Sequence, residues 1–141
     1  MTQQRRSVLV TGGSRGIGHA VAKELSKDHH VLVGGTHPDT VNAVVGQLDD
    51  AEPFIADLTD AQAVAEAVAA VDRLDAVVHS AGTYGSGNTL AQTSRSEWRD
   101  VLELNVVAVA DLTAQLLPLL RDSRVFGDAM TLRDQLGRHR T

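Results

Sequence analysis

Val8-Leu9-Val10-Thr11-Gly12-Gly13-Ser14-Arg15-Gly16-Ile17-Gly18 joins an apolar run to a glycine cluster, and the architecture follows from that junction. A short apolar run that closes on glycines is what a buried parallel strand looks like, and Ser7 to Val10 fits it. From Gly16 to Lys27 the apolar residues Ile17, Ala20, Val21 and Leu25 recur at helical spacing. The first unit is therefore strand, glycine turn, helix. Its spacing is Gly-x3-Gly-x-Gly. The commoner Gly-x-Gly-x-x-Gly fails, because Val21 stands where its third small residue would fall.

Outward from this unit the same alternation repeats. Val31-Leu32-Val33 predicts a second strand ending in Gly34-Gly35, and Asp39 to Leu48 a second, weaker helix. Phe54-Ile55-Ala56 predicts a third strand. Thr59 and Gln62 then read as a capping box opening a helix that carries Val64, Ala67, Val68 and Val71. Ala76-Val77-Val78 is the fourth strand, running into Ala81-Gly82 and a loop rich in Gly, Ser, Asn and Thr. Ser94 and Glu97 form a second capping box before the longest helix, which offers Trp98, Val101, Leu102, Leu104, Val109, Leu112 and Leu116 for burial until Pro118 ends or kinks it. Strands alternating with helices give right-handed βαβ units, hence an α/β doubly wound parallel sheet of four strands in the order 3-2-1-4.

Composition is compatible with one such domain. The chain has 141 residues, 43% hydrophobic and 22% charged, with no cysteine, so disulfides and thiolate metal sites are excluded and a reducing cytoplasm fits. Only 3% of residues are aromatic, which leaves Val, Leu, Ile and Ala to build the core. A net charge of -5 speaks against nucleic-acid or anionic-membrane partners, which want a basic face. Apolar runs fall short of the ~20 residues of a membrane helix, and the one before Thr11 is too short for a secretory leader.

Backbone N–H groups at a helix N-terminus, with the helix dipole behind them and no Cβ in the way, are what a pyrophosphate needs. Gly12, Gly16 and Gly18 meet that need, although a tight turn with close helix packing would use the same glycines. Thr11-Gly12-x3-Gly16-Ile17-Gly18 resembles the cofactor signature of the short-chain dehydrogenase/reductase family. Further matches follow in the family's order. Asp57-Leu58 resembles its adenine-contacting Asp, Ala81-Gly82 the end of its Asn-Asn-Ala-Gly motif, and Asn105-Val106 its active-site Asn. The resemblance covers about residues 7–120 and implies a Rossmann-type fold, a nicotinamide dinucleotide as partner, and interconversion of alcohols and carbonyls.

An acid at the end of the second strand marks NAD enzymes, whereas a nearby basic group accommodates the 2′-phosphate of NADP. Here that strand ends Gly34-Gly35-Thr36-His37, and Arg15 precedes the second glycine. In the family such a basic residue goes with NADP, which is therefore expected over NAD; Arg15 merely facing solvent is the plainer reading. The resemblance and the strand ends together nominate Gly12, Ser14, Arg15, Gly16, Ile17, Gly18, Thr36, His37, Asp57, Leu58, Ala81 and Gly82 for cofactor contact. Asn105 takes the proton-relay position by resemblance.

The resemblance also implies a Tyr whose proton delivery is tuned by a Lys four residues on. The chain has one tyrosine, Tyr84, and two lysines, Lys23 and Lys27, so no Tyr-x3-Lys can be written. His79-Ser80 replaces Asn-Asn in the fourth-strand motif, and a strand-end His79 bonded to backbone is preferred to a relay role. Charge reverses along the chain, from -7 over residues 1–120 to +2 over 121–141. We expect residues 1–124 to form the cofactor domain. Residues 125–141 are expected to be a tail foreign to the family, as after a frameshift or premature stop, with a short helix through Leu132 and Leu136 or no fixed structure. On this reading the chain is a catalytically incomplete oxidoreductase; the alternative is a non-catalytic dinucleotide-binding remnant that partners a full-length homologue.

Other chemistry is less well supported. Gly12-x-Ser14-x-Gly16 satisfies the nucleophile-elbow pattern of hydrolases, with Asp57 and His79 or His139 as nominal partners, but an elbow on the first strand leaves no earlier strand to supply an oxyanion loop. His29-His30 would point to opposite faces of a strand, and no His-x3-His spacing occurs, so no metal site is expected. An open edge on the fourth strand and an uncovered long helix predict a homo-oligomer.

Overall fold

The computed structural model describes residues 4–123. Four strands form one parallel sheet: β1 (Ser7–Val10), β2 (His30–Gly35), β3 (Ala51–Ile55) and β4 (Ala76–Val78), in the order β3-β2-β1-β4. Helices α1 (Gly16–Leu25), α2 (Pro38–Val45) and α3 (Ala61–Ala69) connect them, and α4 (Arg95–Leu102) and α5 (Ala108–Asp122) follow β4, joined by a π-helical turn over Glu103–Val107. This is the doubly wound order expected. The tail over residues 125–141 and the domain boundary at 124 lie outside the described residues.

Alternation along the two central strands builds two cores. Leu9 and Leu32 point to one face, where they meet Phe54, Val64, Leu74, Leu112 and Leu116 beneath α3 and α5. Val8, Val10, Val31 and Val33 point to the other, against Ala22 of α1 and Val41 and Val44 of α2. Because β1 and β2 are covered on both faces, Ser7 to Val10 and Val31 to Gly34 are buried without a break, as in doubly wound sheets.

Several local expectations are corrected. The cap of α3 is Asp60, whose carboxylate accepts from Gln62 N and Ala63 N; the Thr59 hydroxyl is spent on Asp57 instead. β3 begins at Ala51 and includes Pro53, which an edge strand tolerates because one side of it needs no ladder donor. Helix α5 runs through Pro118 to Asp122, since the proline removes one ladder donor while Leu112, Leu116, Leu119 and Leu120 stay packed on the first core. Of the apolar residues offered by the long helix only Leu112 and Leu116, with Ala108, are buried; Trp98 and Leu102 remain exposed. The helical run Arg95–Asp122 is long and apolar enough, by length and composition alone, to cross a membrane, a test that the core helix of a folded domain also passes. One face of it is nonetheless packed on the sheet.

Candidate functional site

Thr11 closes β1 and is 1% exposed. Its N–H donates to Val78 O at 3.0 Å, and its Oγ1 accepts from Ser80 N at 3.0 Å and Ala81 N at 3.1 Å. One buried hydroxyl thus ties the turn after β1 to the turn after β4, which answers how the His79-Ser80 variant of that loop is braced. Glycines bring the backbones closer still. Gly12 has φ +60°, and a Cβ there would stand 2.9 Å from Ala81 Cα; a Cβ on Gly18 would stand 2.2 Å from Gly12 O.

Gly16 differs from both. Its φ is +58°, and nothing lies within 4 Å of where a Cβ would be. It opens α1, whose first turn receives no side-chain cap from Arg15, whereas α3 and α4 are capped by Asp60 and Ser94. Free N–H donors, the positive end of a helix dipole and open space meet at one place.

A cavity of about 870 Å³ lies over the carboxyl ends of the strands. The structure brings every nominated cofactor residue to its wall: Gly12, Ser14, Arg15, Gly16, Ile17 and Gly18 after β1, Thr36 and His37 after β2, Asp57 and Leu58 after β3, Ala81 and Gly82 after β4. Arg15 is exposed, and while its carbonyl accepts from His19 N at 3.2 Å its side chain makes no hydrogen bond or ion pair among the described residues. His37 Nδ1 is 2.8 Å from Thr36 Oγ1. Asp57 Oδ1 accepts from Thr59 Oγ1 at 2.7 Å and Thr59 N at 2.9 Å, and these bonds hold its carboxyl below the usual range.

Asn105 does not line the cavity. It sits in the π-helical turn, where Oδ1 accepts from Thr83 N at 3.0 Å and Nδ2 donates to Thr83 O at 2.5 Å. Both ends of its amide hold the loop after β4, and a Cβ on Gly82 would collide with it at 2.7 Å. His79 bonds a side chain rather than the expected backbone group: Nε2 lies 3.0 Å from Thr113 Oγ1, which itself donates to Val109 O at 2.6 Å. With its only proton so used, the Thr113 hydroxyl accepts from Nε2–H, and partial burial lowers the His79 pKa. The hydrolase constellation is not assembled, since His79 is held by Thr113 and Asp57 by Thr59; His139 lies outside the described residues.

Three features went unread in the sequence. Thr11 is a brace, which its place in the glycine motif concealed. The Ser94–Glu97 box is only half formed: Ser94 accepts from Glu97 N, but Glu97 Oε1 accepts from Ser86 N and Ser86 Oγ across the loop. Tyr84, on the loop so held, reaches the cavity wall while remaining 87% exposed. No local pattern announces such long-range partners.

Strand order, glycine turn and cavity define a doubly wound nucleotide-binding architecture, and comparison with known proteins places it further. The family model for short chain dehydrogenase matches residues 6–132, and the chain belongs to that family of oxidoreductases. It is 33% identical over 128 residues to the short-chain dehydrogenase anuI of Penicillium roqueforti (strain FM164), covering 83% of this chain and 50% of that protein. Among solved structures, a short chain dehydrogenase from Pseudomonas syringae superposes with a TM-score of 0.79 at 31% identity, covering 86% of this chain and 54% of the other. One from Shigella flexneri 2a str. 301, complexed with NADP, gives 0.78 at 29% identity, covering 86% and 56%. The chain thus spans about half the length of the relatives it matches.

Proposed function

We propose that this chain holds NADP(H) across the strand ends, with the paired phosphates on the Gly12–Gly18 turn. The observation that carries the reading is Gly16: a left-handed backbone at an uncapped helix start, with empty space where a side chain would stand. Sheet order divides the rest of the wall. Thr36, His37, Asp57 and Leu58 follow β2 and β3 on one side of the turn, and Ala81 and Gly82 follow β4 on the other. The adenosine half belongs on the first side, where the Arg15 side chain, without a partner among the described residues, meets a 2′-phosphate. The nicotinamide half belongs over β4. A related structure holding NADP supports the choice of coenzyme.

When bound, the nicotinamide supplies or accepts hydride, the chemistry of alcohol and carbonyl interconversion. This chain's residues bind and orient the group. Asn105 holds the loop beside the nicotinamide half at the family's relay position, but no Tyr-x3-Lys exists in the 141 residues to deliver a proton. A positioned general acid commonly contributes ~10²–10⁴ in rate. We therefore read the chain as an oxidoreductase of this family that binds its coenzyme and lacks turnover by itself, resident in the cytoplasm and associating through the β4 edge or the exposed apolar face of α4. A binding remnant that serves a full-length homologue is the second reading, favoured by the same missing pair.

Titration with NADPH, followed by its fluorescence, is expected to saturate at one site with no oxidation across a panel of ketones. Turnover would overturn the incompleteness; absence of binding to folded protein would overturn the whole reading.

A further inference from the structure

Tyr84 is the chain's single tyrosine and is 87% exposed, yet it belongs to the cavity wall. An aromatic ring left in water at the rim of a cavity gains nothing for the fold, and the loop that carries it is fixed on both sides. Before it, Asn105 holds both backbone groups of Thr83. After it, Glu97 accepts from the N–H and the hydroxyl of Ser86, at 2.8 Å for the first. Gly85 and Gly87, with φ of +75° and +76°, turn the chain between and beyond these anchors, and the Gly85 position packs against Glu97 and Val101. Two clasps that grip the neighbours of an exposed ring present that ring for a ligand.

Which ligand follows from the side of the sheet. Tyr84 comes after β4, with Ala81 and Gly82, and on the far side of the glycine turn from Thr36, His37 and Asp57. We propose that Tyr84 is a coenzyme-contacting residue, its ring packing on the nicotinamide half of the dinucleotide and covering it from water. This inference rests on the dinucleotide reading above, and its test separates the two. A planar aromatic contact of this kind is worth about fivefold in affinity.

The full chain and its Tyr84→Ala and Tyr84→Phe variants are titrated with NADPH and with adenosine 2′,5′-bisphosphate, which carries only the adenosine side. Thermal melts verify that all three fold. Expected is a roughly fivefold weaker NADPH affinity for Tyr84→Ala, near-native affinity for Tyr84→Phe, and unchanged bisphosphate binding for both. Equal NADPH affinity in Tyr84→Ala and the parent, or equal weakening of both ligands, overturns the assignment of Tyr84 while leaving the dinucleotide reading intact. Failure of the parent chain to bind either ligand overturns that reading and the Tyr84 contact with it.

Discussion

Gly16 and Gly18 lie two residues apart and answer substitution differently. Alanine at Gly18 would drive a methyl group to 2.2 Å from Gly12 O, so Gly18→Ala is expected to lose about 2–3 kcal/mol in urea unfolding. Alanine at Gly16 meets no atom, only the strain of φ +58°, so Gly16→Ala is expected to lose about 1–2 kcal/mol yet to lose NADPH affinity far beyond that. A Gly16→Ala protein that binds like the parent would show the space above Gly16 to be idle. Arg15→Glu is expected to leave the unfolding midpoint unmoved and to reverse the preference of NADPH over NADH. Away from the cavity, the Asp75 carboxylate is 6% exposed and accepts from Ser7 N at 2.8 Å and from Arg73 Nη2 at 3.0 Å. Burial works to raise its pKa, and the bonds from Ser7 and Arg73 more than offset that, holding it low. Asp75→Asn is expected to cost roughly 2–3 kcal/mol of stability.

Among the elements, the two central strands were the most legible because their burial is nearly complete, whereas β3, β4 and the helices bury one face at most. Val8 to Val10 and Val31 to Val33 are unbroken apolar runs that lead into glycines, and they mark the two central strands of the sheet. Helix ends were less legible, since Asp60 and Thr59 are equally good caps by letter and only the competing bond to Asp57 decides between them. Asp60→Ala is accordingly expected to destabilise by about 1 kcal/mol, while Thr59→Ala leaves α3 intact in circular dichroism. The cavity's glycines could be read from the letters because each needs an absent side chain. Tyr84, Glu97 and the π-helical turn could not be, since they matter through partners 11 to 22 residues away in the chain. A π-helical turn inside a long helix is common at functional sites, and here it carries Asn105 to the loop.

For the whole molecule, acid should act in two stages. Partial burial makes His79 protonate at lower pH in the folded chain than in the unfolded one. Folding stability therefore declines as pH falls below about 6.5. Asp57, Asp75 and Glu97 titrate below their ordinary values when folded. Their contributions are complete above the unfolded carboxyl value of about 4 and vanish as pH falls through the folded ones. Melting temperature against pH is expected to slope gently below 6.5 and steeply below 4, with the gentle part reduced in His79→Gln; a maximum near pH 5 would contradict this. Among the described residues β4 pairs only with β1, and Trp98, Leu102, Val106 and Val107 stay exposed. Sedimentation is therefore expected to show self-association that Leu102→Glu abolishes.

Whether the first crossover cradles a dinucleotide's phosphates is read out by calorimetry of NADPH against the folded chain and against Gly16→Ala. One saturable site is expected in the parent chain, tighter than for NADH. At a hundredfold excess over Kd, thermal protection of about 2.7 kcal/mol is expected, both effects being absent in the variant. No heat and no protection with the folded parent chain would contradict the phosphate cradle.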